Sequence, residues 1–260
     1  MSSEVDRAAR LLATAASSLD AAGCRDRAGW LALFTDDGQV EDPVGSRPHI
    51  GHTQIGRFFD TFIAPRQISF DLRDDFVGGS TVVRDLTLNV QMGPSVSMQI
   101  PAILGYEIAQ TDAGLKVARL QAYWELPPMM LQFARNGLAA APAGVGLVRA
   151  MLANQGPAGA LGFMQGFRRI GGRARGMLQD LFTALKTGDE LTVRRLLSRS
   201  EVVSAELPVL AEKLPGAHSG KVITAGTSVA VSLYAGAEHR GVVIADFAGG
   251  PVIRRLRFFG

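Results

Sequence analysis

A chain of 260 residues with 47% apolar and 20% charged residues has the composition of an ordinary globular protein, which excludes the disordered and fibrous classes and leaves room for two domains. The formal net charge is only +3, and the arginines are scattered without an interleaved aromatic stripe, so no nucleic-acid partner is expected. Cys24 is the only cysteine, which excludes an intrachain disulfide and suits a reducing compartment.

Residues 1–20 (MSSEVDRAARLLATAASSLD) carry Glu4, Asp6 and Arg7 inside a helical repeat, without the basic start and apolar block of a signal peptide, so a cytoplasmic location is expected. Val5, Ala8, Leu12, Ala15, Ala16 and Leu19 recur at helical spacing, and Gly23 ends that helix. Asp26 is placed to cap a second helix with Trp30, Leu33 and Phe34 on its buried face, followed by a polar turn over 35–38. A short strand through Val40 runs into Asp42-Pro43, with Glu41 directed to the opposite face and into solvent. Gly51 opens a third helix with Ile55, Phe58, Phe59 and Phe62 facing inward. From Gln67 onward the apolar period falls to two, and strands are expected over 82–92, 96–109 and 115–126, separated by glycine-containing turns. Helices first, then an antiparallel meander, is an α+β pattern.

Residues 127–171 are rich in Gly, Ala, Met and Pro and read as a helical connector, with short helices over 129–135, 145–153 and 158–170. The longest uncharged run, 150–167, contains Asn154, Gln155, Pro157 and Gln165, which argues against a transmembrane helix. Near its end, apolar Leu161, Phe163, Met164, Phe167 and Ile170 lie beside Arg168, Arg169, Arg173 and Arg175; such a segment covers a neighbouring apolar face, lies on an anionic membrane, or forms a lid. After the connector the first pattern starts over: residues 26–34 (DRAGWLALF) align without a gap with 189–197 (DELTVRRLL), and 117–124 (VARLQAYW) with 252–259 (VIRRLRFF). Three parts follow: a domain over 1–126, a connector over 127–171, and a shorter, degenerate copy over 172–260.

His49, His52, His218 and His239 show no metal-ligand spacing, and no phosphate loop, nucleophile elbow or dinucleotide fingerprint occurs, so no metal or cofactor is expected. The informative stretch is Leu33 to Pro48, LFTDDGQVEDPVGSRP. With its run EDPVGS, Pro48 and Gly51, it resembles the ketosteroid isomerases, members of the nuclear-transport-factor-2-like superfamily that also holds polyketide cyclases, dehydratases and non-catalytic proteins. The resemblance spans about residues 5–126, weakens after 70 and returns at 114–124. It implies a cone-shaped curved antiparallel sheet wrapped by helices around an apolar pocket, with Asp42 as the general base that moves a proton α to a ketone.

In that family a tyrosine and a protonated aspartic acid donate hydrogen bonds to the enolate oxygen. The resemblance puts Ser18 and Leu104 at those two positions, and Phe59 where a supporting tyrosine stands. Tyr106, on the same strand face as Leu104, and Trp124 are the side chains able to supply one donor, or they are core residues with polar tips at the rim. Phe34, Phe59, Leu88, Leu104, Tyr106 and Trp124 are the expected walls. Two functions follow. One is proton transfer by Asp42 on a hydrophobic carbonyl compound, a steroid or polyketide, with a β-dicarbonyl suited to weak oxyanion help. The other is a non-catalytic binding or scaffold protein. Ala205 stands opposite Asp42 in the second copy, so no base is expected there, and the copy is read as an intrachain pseudo-dimer partner, with a homodimer as the other option.

Overall fold

Leu11, Ala15, Ser18 and Ala22 form the buried stripe of the first helix, α1 (Ser2–Gly23), in a computed structural model that describes residues 2–93, 96–164, 170–200, 202–203, 207–248 and 250–260. Their spacing of three and four is that of one helix face. The stripe is rotated from the expected one, and Val5 is exposed. Asp26 caps α2 (Arg27–Ala32) by accepting a hydrogen bond from the Gly29 amide at 2.9 Å. This cap sets Trp30 into the core, where it meets Phe34 edge-on at 4.8 Å and Phe59 at 5.4 Å.

The chain forms two compact units, Met1–Phe167 and Arg168–Gly260. In the first, β1 (Phe34–Glu41), β2 (His49–Ile50), β3 (Gln67–Gly78), β4 (Thr81–Met92), β5 (Val96–Thr111) and β6 (Gly114–Tyr123) make one curved sheet in the order β2-β1-β6-β5-β4-β3. Among the described residues only β1 and β6 of this sheet run parallel. The α+β class and the curved sheet with wrapping helices are as the sequence implies. The polar run over 35–38 is not a turn. It is an irregularity inside β1, where the register against β6 slips between Phe34 and Gln39. Between β2 and β3, α3 (Gly51–Phe58) passes into a single π-helical turn (Phe59–Ile63) closed by the Ala64 amide on the Phe59 carbonyl at 2.9 Å. Leu126 starts α4 (Leu126–Arg135), so β6 ends earlier than expected, and a 3₁₀ turn (Gly137–Ala140) leads into α5 (Ala141–Met164), which is broken at Gly156.

The segment over 127–164 therefore belongs to the first unit's packing: Met129, Phe133 and Leu147 lie against its core. Gly137–Gly156 is long and apolar enough to cross a membrane by length and composition, with mean hydropathy 1.2 and 11% of it buried. Of the basic and apolar helix expected over 158–170, residues 165–169 lie outside the described residues.

The second unit contains α6 (Gly172–Thr187), α7 (Glu190–Leu197), β7 (Val202–Val203), α8 (Leu207–Lys213), β8 (His218–Ala225), β9 (Ser228–Ala235), β10 (Glu238–Phe247) and β11 (Ile253–Phe259). Its sheet order is β7-β11-β10-β9-β8, with β7 parallel to β11. In both sheets the first strand lies parallel beside the last. Asp189 caps α7 through the Thr192 amide at 3.0 Å, as Asp26 caps α2. A helix, α8, stands between the first strand and the meander, where the sequence shows no clear counterpart of α3. Ala205 lies outside the described residues.

Candidate functional site

Strand alternation decides which carboxylate enters the first unit. Val40 is fully buried, Glu41 turns to the other face, and Asp42 turns inward again. A compact loop fixes that direction. The Val44 amide donates to the Ala122 carbonyl at 2.9 Å, the Ser46 amide to the Pro43 carbonyl at 3.0 Å, and the Asp42-Pro43 bond is cis. Glu41 is not solvated as expected. Its carboxylate accepts from the Gly45 amide at 2.9 Å, Arg119 Nη2 at 3.0 Å and Gln121 Nε2 at 3.1 Å, clamping the loop to β6 from outside. An acceptor-only group at a strand end is satisfied by such donors more readily than by water.

Asp42 opens into a cavity of about 280 Å³. Its walls come from α1 (Ser18, Leu19), the end of α3 and the π turn (Phe58, Phe62), and β3 to β6 (Phe70, Leu88, Leu104, Tyr106, Leu120). Met129, Met130 and Phe133 of α4 with Leu147 and Val148 of α5 close the remaining side. The few polar side chains on this lining include Ser18, Asp42, Arg66 and Tyr106. The apolar surroundings push the Asp42 carboxyl up to about 6, and a hydrogen bond from Trp124 Nε1 to Oδ1 at 2.5 Å partly offsets that rise. Asp42 is itself half-buried; what it faces is the apolar cavity rather than bulk water, so desolvation dominates.

Of the expected wall residues, Ser18, Leu88, Leu104, Tyr106 and Trp124 are brought together around Asp42. Phe34 and Phe59 are not among them. They are 2% and 1% exposed and pack on Trp30 in the core; for Phe59 the π turn re-phases the helix and brings Phe62 to the cavity instead. Trp124 does not offer its N–H to the cavity, since Asp42 takes it. Ser18 Oγ is engaged by Trp30 Nε1 at 3.2 Å. Tyr106 keeps a buried hydroxyl that makes no well-formed hydrogen bond but has Ser18 near enough to act on it; burial pushes it up to about 12, a weak hydrogen bond with Ser18 and the charge of Arg84 acting against that rise and the charges of Asp42 and Asp75 adding to it. The Arg84–Asp75 pair, bidentate at 2.7 and 2.9 Å, stands on the neighbouring strands. Leu104, directly opposite Ala122 on β6, puts a hydrocarbon where the resemblance implies a second donor.

Sequence reasoning missed the α4 and α5 walls, Phe58, Phe62 and Arg66. Among the described residues no group of three or more His, Cys, Asp or Glu could hold a metal ion.

Residues 15–117 match the family model of the SnoaL-like domain. This stretch is a SnoaL-like domain of the nuclear-transport-factor-2-like superfamily. Solved structures similar to the chain include a Mycobacterium sp. Δ5-3-ketosteroid isomerase, 25% identical over 45% of this chain and 94% of that one, with a TM-score of 0.41. Another is a Mycobacterium tuberculosis protein in complex with estradiol-17β-hemisuccinate, at 26% identity, 45% and 94% coverage and a TM-score of 0.41. A third is an epoxide hydrolase of M. tuberculosis, at 17% identity, 52% and 96% coverage and a TM-score of 0.43. No match was found among curated proteins. In the SnoaL-like domain the motif that carries the sequence resemblance, EDPVGS, is the loop that aims Asp42 into the cavity.

Proposed function

We propose that the SnoaL-like domain binds a hydrophobic carbonyl compound, a steroid or polyketide, and that Asp42 shuttles a proton at the carbon α to its ketone. The observation that carries this reading is a carboxyl group with its pKa raised to about 6, opening into an apolar cavity that also contains the Tyr106 phenol. A base is most effective when its pKa lies near working pH, and at pH 7 this one is mostly ionised. Trp124 holds Oδ1, which leaves Oδ2 to take the proton. The C–H electron pair then becomes the enolate double bond, the carbonyl oxygen receives the charge, and the Tyr106 hydroxyl donates to it. Protonated Asp42 returns the proton at the same or a conjugated carbon, and the net change is an isomerisation.

With Leu104 in place of a second donor, and one donor worth roughly 100- to 1000-fold in rate, the chemistry suits an acidic C–H such as that of a β-dicarbonyl better than an isolated ketone. The same Leu104, a hydrocarbon where a second donor would stand, favours a second reading in which the cavity binds its ligand without turnover. Conversion of a β,γ-unsaturated 3-ketosteroid to the conjugated enone, followed by ultraviolet absorbance, separates the two. Proton transfer requires activity in the wild type, its loss in Asp42→Asn and a fall of at least tenfold in Tyr106→Phe; binding without activity in any of the three supports the second reading.

For the second unit we infer a shorter repeat of the first without a base. The shared strand order and the paired Asp26 and Asp189 caps support this.

A further inference from the structure

Arg66 is 7% exposed, and its guanidinium, with five N–H donors, has one protein acceptor, the Thr61 carbonyl at 2.7 Å from Nη1. Its remaining contact is with the Phe62 ring, 5.8 Å from the guanidinium carbon. No carboxylate pairs with it among the described residues, although buried cations are ordinarily paired. Burial alone pushes it down to about 10, with no acidic neighbour acting in the other direction. Nε and Nη2 are not sealed inside the protein, and as donors without a protein acceptor they are the groups an arriving anion would pair with.

The place of Arg66 says what kind of anion. It lines the same cavity as Asp42 and also a second cleft, of about 390 Å³, bounded by Met92, Pro142, Ala143 and Leu147. Arg66 immediately precedes β3 and Asp42 immediately follows β1, and β6, β5 and β4 lie between those two strands. At a spacing of ~4.8 Å between strands the two groups lie toward opposite edges of the same sheet face. Neither shifts the other: Asp42 responds to burial and Trp124, Arg66 to burial only.

We propose that Arg66 is the binding site for an anionic substituent, a carboxylate, sulfate or phosphate, at the far end of an elongated apolar ligand whose carbonyl lies at Asp42. This inference rests on the reading of the cavity as a hydrophobic-ligand site. The Phe62 ring behind the guanidinium and the Thr61 carbonyl on Nη1 fix the fork so that Nε and Nη2 can grip two oxygens of one anion.

A matched pair tests it: estrone 3-methyl ether, neutral, and estrone 3-sulfate, with dissociation constants from quenching of tryptophan fluorescence. The sulfate is expected to bind the wild type at least tenfold more tightly than the ether. In Arg66→Met the preference is lost, the two probes binding within about twofold of each other, and Arg66→Lys restores part of it. Equal affinity of the two probes for the wild type, or a preference that survives in Arg66→Met, overturns the Arg66 assignment and leaves the cavity reading standing. Failure of both probes to bind overturns the cavity reading and this inference with it. Should Arg66→Met not fold, as judged by its melting transition, the wild-type comparison and Arg66→Lys decide alone.

Discussion

Replacing Asp42 by Asn should stabilise the first unit at neutral pH, although it removes the proposed base. The folded carboxyl has its pKa raised from 3.8 to about 6, so the folded state holds the proton more tightly than the unfolded state. The Asp42 contribution to stability is therefore highest below pH 3.8, declines as pH rises through the interval to about 6, and stays lower above it. At 1.36 kcal/mol per tenfold change in proton affinity, the ionised group costs up to about 3 kcal/mol at pH 8. Asparagine keeps an oxygen to accept from Trp124 and does not ionise, so it recovers most of that. Both tryptophans, Trp30 and Trp124, lie in the first unit, and urea unfolding followed by tryptophan emission reports on that unit alone. The expected difference in unfolding free energy between Asp42→Asn and wild type is about 2 to 3 kcal/mol at pH 8, vanishing near pH 4. Equal stability at both values, or a less stable mutant at pH 8, would refute the reasoning.

Trp124→Phe removes the hydrogen bond that holds Asp42 down, so the acid limb of any Asp42-dependent rate should move to higher pH, and the pH–rate profile checks the direction. His49 has its pKa lowered to about 4 by burial, with the charge of Arg47 adding to this, so the fold loses stability as pH falls from 6.5 toward 4; His49→Gln should flatten that part of the stability curve. Gly241 in β10 has φ of 144°, and a Cβ there would sit 2.3 Å from the Phe259 carbonyl. Gly241→Ala should cost the second unit roughly 2 kcal/mol or more, seen by circular dichroism, while the tryptophan transition is unmoved.

The inward direction of Asp42 was legible in the sequence because two local rules agree on it. Alternation along β1 sends Val40 and Asp42 to one side, and the EDPVGS run marks the loop that holds them there. Leu88, Leu104 and Tyr106 were legible for the same reason, since period two carries down long strands. Phe59 misled, because its neighbours Phe58 and Phe62 are also aromatic and the π turn decides which ring faces the cavity, and Phe34 misled because it packs on Trp30 at the start of β1. Glu41 misled because its donors, Arg119 and Gln121, are 78 and 80 residues away. The α4 and α5 wall is a long-range contact with no local signature, and methionines at helical spacing read as ordinary core. Arg66 looks like a surface residue in sequence; its isolation exists only after β3 and the π turn close around it.

The most direct measurement is the titration of the Asp42 carboxyl itself, by carbon-13 NMR of the labelled side chain, assigned with Asp42→Asn. A midpoint near 6, rising further when estrone 3-methyl ether fills the cavity and removes what water remains, is the expected result. A midpoint near 3.8, unmoved by the steroid, would mean that the carboxylate stands in water and has no enclosed site in which to act as a base.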